Sequence, residues 1–270
     1  MAIVNRTPDS FYDQGATWAQ DKAIARVRLV VEQGADLVDI GGIKAAPGVE
    51  IGEAEERERV VDFVAAVRDE HPDLIISVDT WRASVAEAVI AVGADVINDA
   101  WGGADPELAQ VVADAGVSMV VTHTGGVTPR TRPHRIDYDD VVADVVTSLV
   151  GQAERAVSLG ADPTRIIIDP AHDFGKNTWH SLEVTRRLAE VTSLGWTSLV
   201  SLSNKDFVGE SLDLPVGERL TGTLAATAIC AWQGANIYRV HEVIETRQVL
   251  DMVSVIQGQL APKRTVRGLA

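Results

Sequence analysis

Eight short β-branched runs recur along this chain, and longer amphipathic stretches separate them. The runs are AIVN (2–5), LVDIG (37–41), LIISVDT (74–80), DVIND (95–99), MVVTHT (119–124), RIIIDP (165–170), SLVSLS (198–203) and NIYRVHE (236–242). Helical periodicity covers Ala19–Gln33, Glu53–Glu70, Arg82–Val92, Pro106–Ala115, Tyr138–Leu159, Ser181–Val191, Gly217–Trp232 and Glu242–Gln257. Near-continuous apolar strands separated by helices require a parallel sheet whose outer face is covered. Eight such units in 270 residues match the count and length of an α/β fold, the (β/α)8 TIM barrel, as a single domain. A doubly wound open sheet is the alternative, but it rarely runs to eight regular units without a break. No Pro/Gly/Ser-rich linker interrupts the chain, so one barrel is expected over residues 1–260, with a tail at 261–270. Gly34, Gly93, Gly116, Gly160, Gly195 and Gly234 each follow a helical run, where a left-handed residue closes the helix.

Composition narrows the partners. A formal net charge of −15 repels polyphosphate, which argues against nucleic acid and anionic membrane surfaces. The single cysteine, Cys230, allows no intrachain disulfide and sits in an apolar helical run as a small core residue. No apolar run approaches the roughly 18 residues of a membrane span, and no signal peptide is apparent, so the expected compartment is the cytoplasm.

In a TIM barrel the chemistry gathers at the carboxyl ends of the strands. Those ends carry Asn5, Asp39, Asp79, Asn98 with Asp99, His123, Asp169, Lys205, and Arg239 with His241. A structural ion-pair ring is the bland reading; a binding cluster is the functional one. Asp79, Asn98, Asp169 and Lys205 supply fixed acceptors and donors suited to the edge of a flat nitrogen heterocycle. Arg239 and His241, alternate residues of one strand, share a face and with Asn5 form a plausible phosphate anchor. A metal site from His123, His172, Asp169 and Asp173 is weakly supported by spacing. Trp101, directly after Asn98-Asp99-Ala100, is the one tryptophan expected to border a ligand; the other five are expected to pack. The basic run PRTRPHR (129–135) follows the fifth strand and either draws in an anion or balances an acidic surface.

NRTPDSF (5–11), VDIGG (38–42), SVDT (77–80), GADVIND (93–99), IDP with FGK (168–170, 174–176), LSNK (202–205) and RVHE (239–242) stand in this order along nearly the whole chain. Together they resemble dihydropteroate synthase, a TIM-barrel family that joins 6-hydroxymethyl-dihydropterin pyrophosphate to p-aminobenzoate with Mg²⁺. The resemblance implies that Asp79, Asn98, Asp169 and Lys205, together with Arg239, hold the pterin. It places Asn5, Arg239 and His241 around pyrophosphate, with Asn5 toward its Mg²⁺. Asp9 and Ser10 fall in the family's first mobile loop, and a homodimer is implied.

Three departures bear on activity. Where the family loop reads G-G-E-S-T-R-P-G, this chain has Gly41-Gly42-Ile43-Lys44-Ala45-Ala46-Pro47-Gly48. Ala45 and Ala46 replace the Thr and Arg that embrace pyrophosphate and the incoming amine. Lys44 keeps a positive charge two positions early, but a point charge does not reproduce an Arg fork. S-R-K-S becomes Ser203-Asn204-Lys205-Asp206, setting a carboxylate where that of p-aminobenzoate should bind. Losing a charge-assisted hydrogen bond and gaining like-charge repulsion is worth about 3–6 kcal/mol, at least a hundredfold in affinity. D-P-G-x-G becomes Asp169-Pro170-Ala171-His172-Asp173, whose new side chains either reshape the pocket or point to solvent.

The pterin positions survive while those for the second substrate have changed together. The expected function is a pterin-binding barrel, a paralogue with weak or absent synthase activity, taking a pterin or similar anionic heterocycle. An active synthase, with Lys44 compensating, is the alternative. Methyl transfer from a folate, or a non-catalytic binding role, are further alternatives.

Overall fold

The computed structural model describes residues 1–6, 20–44, 50–131 and 136–267. Eight strands run β1 (Ala2–Asn5), β2 (Leu37–Gly41), β3 (Ile75–Asp79), β4 (Val96–Asn98), β5 (Ser118–Thr122), β6 (Ile166–Asp169), β7 (Thr197–Val200) and β8 (Ile237–Tyr238). All pair in parallel, each with the next in sequence. The last segment returns to the first strand: a parallel bridge joins Ala2 to Val240, and the Ile3 amide donates to the Val240 carbonyl at 3.0 Å. Sequential parallel order with a returning edge is what a barrel demands, since closure removes both unpaired edges.

The helices α1 (Gln20–Glu32), α2 (Glu53–Glu70), α3 (Ala83–Ala91), α4 (Leu108–Ala115), α5 (Val141–Ser158), α6 (Thr178–Arg186), α7 (Leu188–Thr192), α8 (Asp206–Leu212), α9 (Leu220–Trp232) and α10 (Val243–Ile256) cover the sheet. Each long helix presents an apolar stripe; in α2 it is Val60, Phe63, Val64 and Val67, spaced at three and four. These stripes meet the strands' outward residues in one large core. Met1, Val96, Val120, Ile167 and Leu199 form a separate small cluster. Four of those five are inward-facing strand residues at alternate positions to the main core.

All six glycines expected to close helices have positive φ, from 66° at Gly116 to 109° at Gly93. At Gly93 the close packing is visible as well, because a Cβ would meet the Arg68 side chain at 2.9 Å. The predicted helix over Ser181–Val191 divides into α6 and α7 at Arg187, whose φ of −107° interrupts the turn. The seven-residue α8 is not anticipated by periodicity, and β8 is shorter than its apolar run. Cys230 is fully buried, as expected. Trp179 and Trp232 are exposed rather than packed, at 78% and 58%.

Candidate functional site

The carboxyl ends of β2, β3, β4 and β8 converge on Asp39, which is fully buried. Its carboxylate accepts from Ser77 Oγ at 2.6 Å, Asn98 Nδ2 at 3.3 Å and Arg239 Nε at 2.6 Å. Register explains the gathering: Asp39 lies opposite Ser77, and Asp79 opposite Asn98. Ser77 and Asp79 point to the same face because side chains alternate along a strand. Arg239 also reaches Asp79, with Nη2 at 3.4 Å from Oδ2. Burial, and then the neighbouring Asp39 charge, push the Asp79 carboxyl up to about 7 despite Arg239. Burial works against the Arg239 charge too, yet Asp39 and Asp79 outweigh it and hold the group above its usual value. Asn5 stands beside this pair: a Cβ on Gly41 would have Asp79 Cβ at 3.8 Å and Asn5 Oδ1 at 3.9 Å.

A second cluster forms at the ends of β6 and β7. Asp169 Oδ1 accepts from the Ala171 amide at 2.7 Å, and burial raises its pKa against the pull of Lys205 and Lys176. The Lys205 ammonium sits 4.5 Å from the centre of the Phe174 ring, a cation–π contact. Burial lowers its pKa, with Asp173 and Asp169 opposing. Lys176 lies beneath and donates to the carbonyls of Ala171 at 3.1 Å and Phe174 at 3.0 Å, and to His123 Nδ1 at 2.6 Å. An ammonium has only hydrogens to give, so Nδ1 accepts and Nε2–H donates to Asp144 at 2.7 Å. Burial brings Lys176 down to about 7 and His123 to about 4.

The β6–α6 loop resolves the reading left open for its two replaced glycines. Ala171 and Asp173 both keep a left-handed backbone, φ 51° and 68°. Neither side chain lies in solvent: Ala171 is buried, and Asp173 accepts from Ser181 Oγ at 3.0 Å and the Phe207 amide at 3.3 Å. Asp173 therefore ties α6 to the start of α8.

A third cluster surrounds His241. Ser203 Oγ donates to Glu242 Oε2 at 2.8 Å, so its 2.8 Å contact with His241 Nδ1 has the ring N–H donating. Burial, with Arg239 nearby, lowers His241 to about 3, which makes the neutral ring the working form. Asn204, at φ 58°, donates from Nδ2 to Glu242 Oε1 at 3.2 Å. Asp206 Oδ1 accepts from Arg219 Nη1 at 2.9 Å. The lone repelling carboxylate expected from sequence is thus paired, though its side chain remains 69% exposed and the pair is correspondingly weak.

Asp79, Asn98, Asp169, Lys205, Arg239, Asn5 and His241 all lie at strand ends on one face, in three adjoining clusters. Acceptors and donors so placed suit a flat heterocycle with N–H groups on one edge and a carbonyl on another. Lys44 is half-buried at the end of its described segment. Asp9, Ser10, Ala45 and Ala46 lie outside the described residues. Trp101 is buried and packs edge-on to Phe174, centroids 5.4 Å apart, so it backs the Lys205 platform rather than lining open space. Among the described residues, no group of three or more His, Cys, Asp or Glu could hold a metal ion. Nor is any helix among them long and apolar enough to cross a membrane. Sequence reasoning missed Ser77, Lys176, Arg219 and Glu242 as members of these clusters. Ser77, Lys176 and Glu242 stood in the quoted motifs, but the partner of each is fixed only by the fold.

A family model described as pterin binding enzyme matches residues 1–241. The inactive dihydropteroate synthase 2 of Mycobacterium leprae is 53% identical over 274 residues, covering 100% of this chain and 94% of that protein. The dihydropteroate synthase of Bacillus subtilis is 37% identical over 262 residues, covering 96% of this chain and 88% of the other. Among solved structures, Yersinia pestis dihydropteroate synthase with a sulfonamide drug complex superposes with TM-score 0.91 at 34% identity. It covers 96% of this chain and 93% of that one.

Proposed function

The chain belongs to the pterin-binding enzyme family, and from that premise we propose that it is a dihydropteroate synthase-like paralogue. It holds a pterin but turns over p-aminobenzoate weakly or not at all. The observation that carries this reading is the β7–α8 corner. The position that has Arg in the family pattern is Asn204, folded back onto Glu242, and the next-but-one residue is a carboxylate engaged by Arg219. The guanidinium that the described residues do place at this corner, Arg219, is engaged by Asp206. The M. leprae relative carries the word inactive in its name, whereas the B. subtilis protein, named a synthase, shares less sequence.

In this reading residues 1–260 form one closed (β/α)8 barrel and 261–270 a tail, supported by the exposure of residues 261–267; residues 268–270 lie outside the described residues. Asp79, Asn98, Asp169 and Lys205 grip the pterin edge, and Arg239 covers it after releasing Asp79. Asn5, Arg239 and His241 face the pyrophosphate. The donor set fits Mg²⁺ only as an ion carried in with the polyphosphate. Asn5 offers one hard oxygen, and Mg²⁺ held mostly by phosphates and water needs few protein ligands. When bound, the ion would neutralise charge on the leaving pyrophosphate. A homodimer is supported by exposed apolar residues on α9 and α10, among them Ile229, Trp232, Met252 and Ile256.

The test is to supply 6-hydroxymethyl-dihydropterin pyrophosphate, Mg²⁺ and p-aminobenzoate. Calorimetry should register pterin pyrophosphate binding while pteroate formation stays at least a hundredfold below that of the B. subtilis enzyme assayed alongside. Comparable turnover would overturn the reading. The Arg219–Asp206 pair favours the second reading, an active synthase, because it reduces the repulsion a benzoate would meet. Under that reading Ala45→Thr, Ala46→Arg, Asn204→Arg and Asp206→Ser combined would gain little; under the first they raise turnover at least tenfold.

A further inference from the structure

The inner wall of the barrel changes from apolar to polar toward the mouth. Val120 on β5 and Ile167 on β6 belong to the small inner cluster. Side chains alternate along a strand, so Thr122 and Asp169, two residues further on, point inward too. They stand opposite each other in the register of β5 with β6. Asp39 and Ser77 are the matching pair across β2 and β3, and there the hydroxyl donates to the carboxylate at 2.6 Å. Thr122 and Asp169 differ. Asp169 turns Oδ1 to the Ala171 amide at 2.7 Å, and the buried Thr122 Oγ1 has no hydrogen-bond partner among the described residues.

The unmet hydroxyl follows from its place on a strand. Thr147, Thr185, Thr227 and Thr246, all helical, donate to the carbonyl four residues earlier at 2.7–2.8 Å. A strand sets no such carbonyl within reach. The residue is also fixed in place, because the Thr122 carbonyl accepts from Gln152 Nε2 at 3.0 Å. Gly102, at φ 64°, approaches so closely that a Cβ there would lie 2.9 Å from the same oxygen. A buried hydroxyl left unmet destabilises the free chain, and a ligand atom that meets it recovers the loss.

Strand order supplies the ligand chemistry. β5, β6 and β7 are successive neighbours, and their ends carry the Thr122 hydroxyl, the Asp169 carboxylate and, just past β7, the Lys205 ammonium. In that direction the wall offers an acceptor, an acceptor and a donor. One edge of an aminopyrimidinone presents the complement in the same order: exocyclic amine, ring N–H, carbonyl. We propose that Thr122 is a further ligand-binding residue, its oxygen accepting from the exocyclic amine while Asp169 takes the ring N–H. The inference rests on the pterin-binding reading above and names the ring substituent that β5 selects. Asn98 and Asp169 are buried like Thr122, so a ring that reaches them uncovers the hydroxyl with them.

The experiment is calorimetric titration of the full chain with pterin and with 4-oxopteridine, which lacks the amine, beside urea denaturation of the ligand-free chain. Wild type should bind pterin more tightly than 4-oxopteridine by at least tenfold. Thr122→Val should weaken pterin binding by about tenfold, the worth of one hydrogen bond, and leave 4-oxopteridine binding unchanged. It should also raise the urea midpoint of the free chain, since valine keeps the shape and removes the unmet group. Thr122→Ser should bind both rings as wild type does. Should Thr122→Val fail to fold, Thr122→Ala against Thr122→Ser makes the same comparison. Pterin affinity untouched by the loss of the hydroxyl, equal weakening of both rings, no preference between them in the wild type, or a lowered urea midpoint in Thr122→Val each overturns the proposal and leaves the synthase-like reading in place. A wild type that binds neither ring overturns that reading and this inference with it.

Discussion

Ala171, Asp173 and Asn204 adopt the left-handed backbone without being glycine, a conformation that costs a residue with a Cβ about 1–2 kcal/mol. At Ala171 nothing beyond the methyl offsets that strain. Ala171→Gly should therefore raise stability by about 1 kcal/mol, read as a higher midpoint in urea. Asp173→Gly should do the reverse, because its carboxylate holds Ser181 and the Phe207 amide. Asp79 makes a second test at this scale. Burial beside Asp39 raises its folded pKa to about 7, well above the ordinary aspartate value that the unfolded chain keeps. Between those values the folded chain binds more protons than the unfolded one, so this group's contribution to stability falls as pH rises and levels off above 7. Asp79→Asn removes that slope: relative to wild type the variant gains stability between pH 4 and pH 8, measured by denaturant titration at each pH. Polar residues at strand ends were legible in sequence because a barrel leaves them one place to gather. Partnerships such as Arg239 with Asp39, 200 residues apart, or Asn204 with Glu242 were not, since they depend on which ends the register sets side by side.

Elements differ in how plainly sequence announces them, and the reason is length. α2 occupies the residues its periodicity marked, Glu53–Glu70, with three acidic residues in its first turn opposing the dipole. α8 went unseen because seven residues give fewer than two full turns of pattern and include Gly209. That glycine is explained only in three dimensions: a Cβ there would collide with the Arg219 guanidinium, which donates to the Leu214 carbonyl at 3.1 Å and clamps the end of the helix. The loop before α6 depends instead on Lys176, whose ammonium joins β5, through His123, to the Ala171 and Phe174 carbonyls. Lys176→Met would leave those acceptors buried without donors, at roughly 1–3 kcal/mol for each one unmet. A loss of about 3 kcal/mol is expected in urea denaturation. Pterin pyrophosphate affinity should fall with it, because Phe174 then no longer carries Lys205 in place.

The whole molecule pairs a strongly acidic surface with an apolar patch that such a surface does not account for. Ile229 and Trp232 on α9, three residues apart, are 52% and 58% exposed; Met252 and Ile256 on α10, four apart, are 57% and 58% exposed. The spacing puts each pair on one helix face, and Gln257 Nε2, 3.4 Å from the Trp232 carbonyl, brings the two helix ends together. Clustered exposed side chains of this size mark an association surface more often than chance scatter. In the homodimer proposed above, a net charge of −15 opposes contact between two copies at long range, and burial of a tryptophan and its neighbours is the opposing attraction once they approach within a Debye length of about 8 Å at physiological salt. Dimer formation should accordingly tighten as salt is raised. Sedimentation equilibrium of the full chain should show a dimer, and Trp232→Glu with Met252→Glu a monomer whose circular dichroism is unchanged. A wild type that stays monomeric at micromolar concentration in both low and high salt would remove association from the account of this patch.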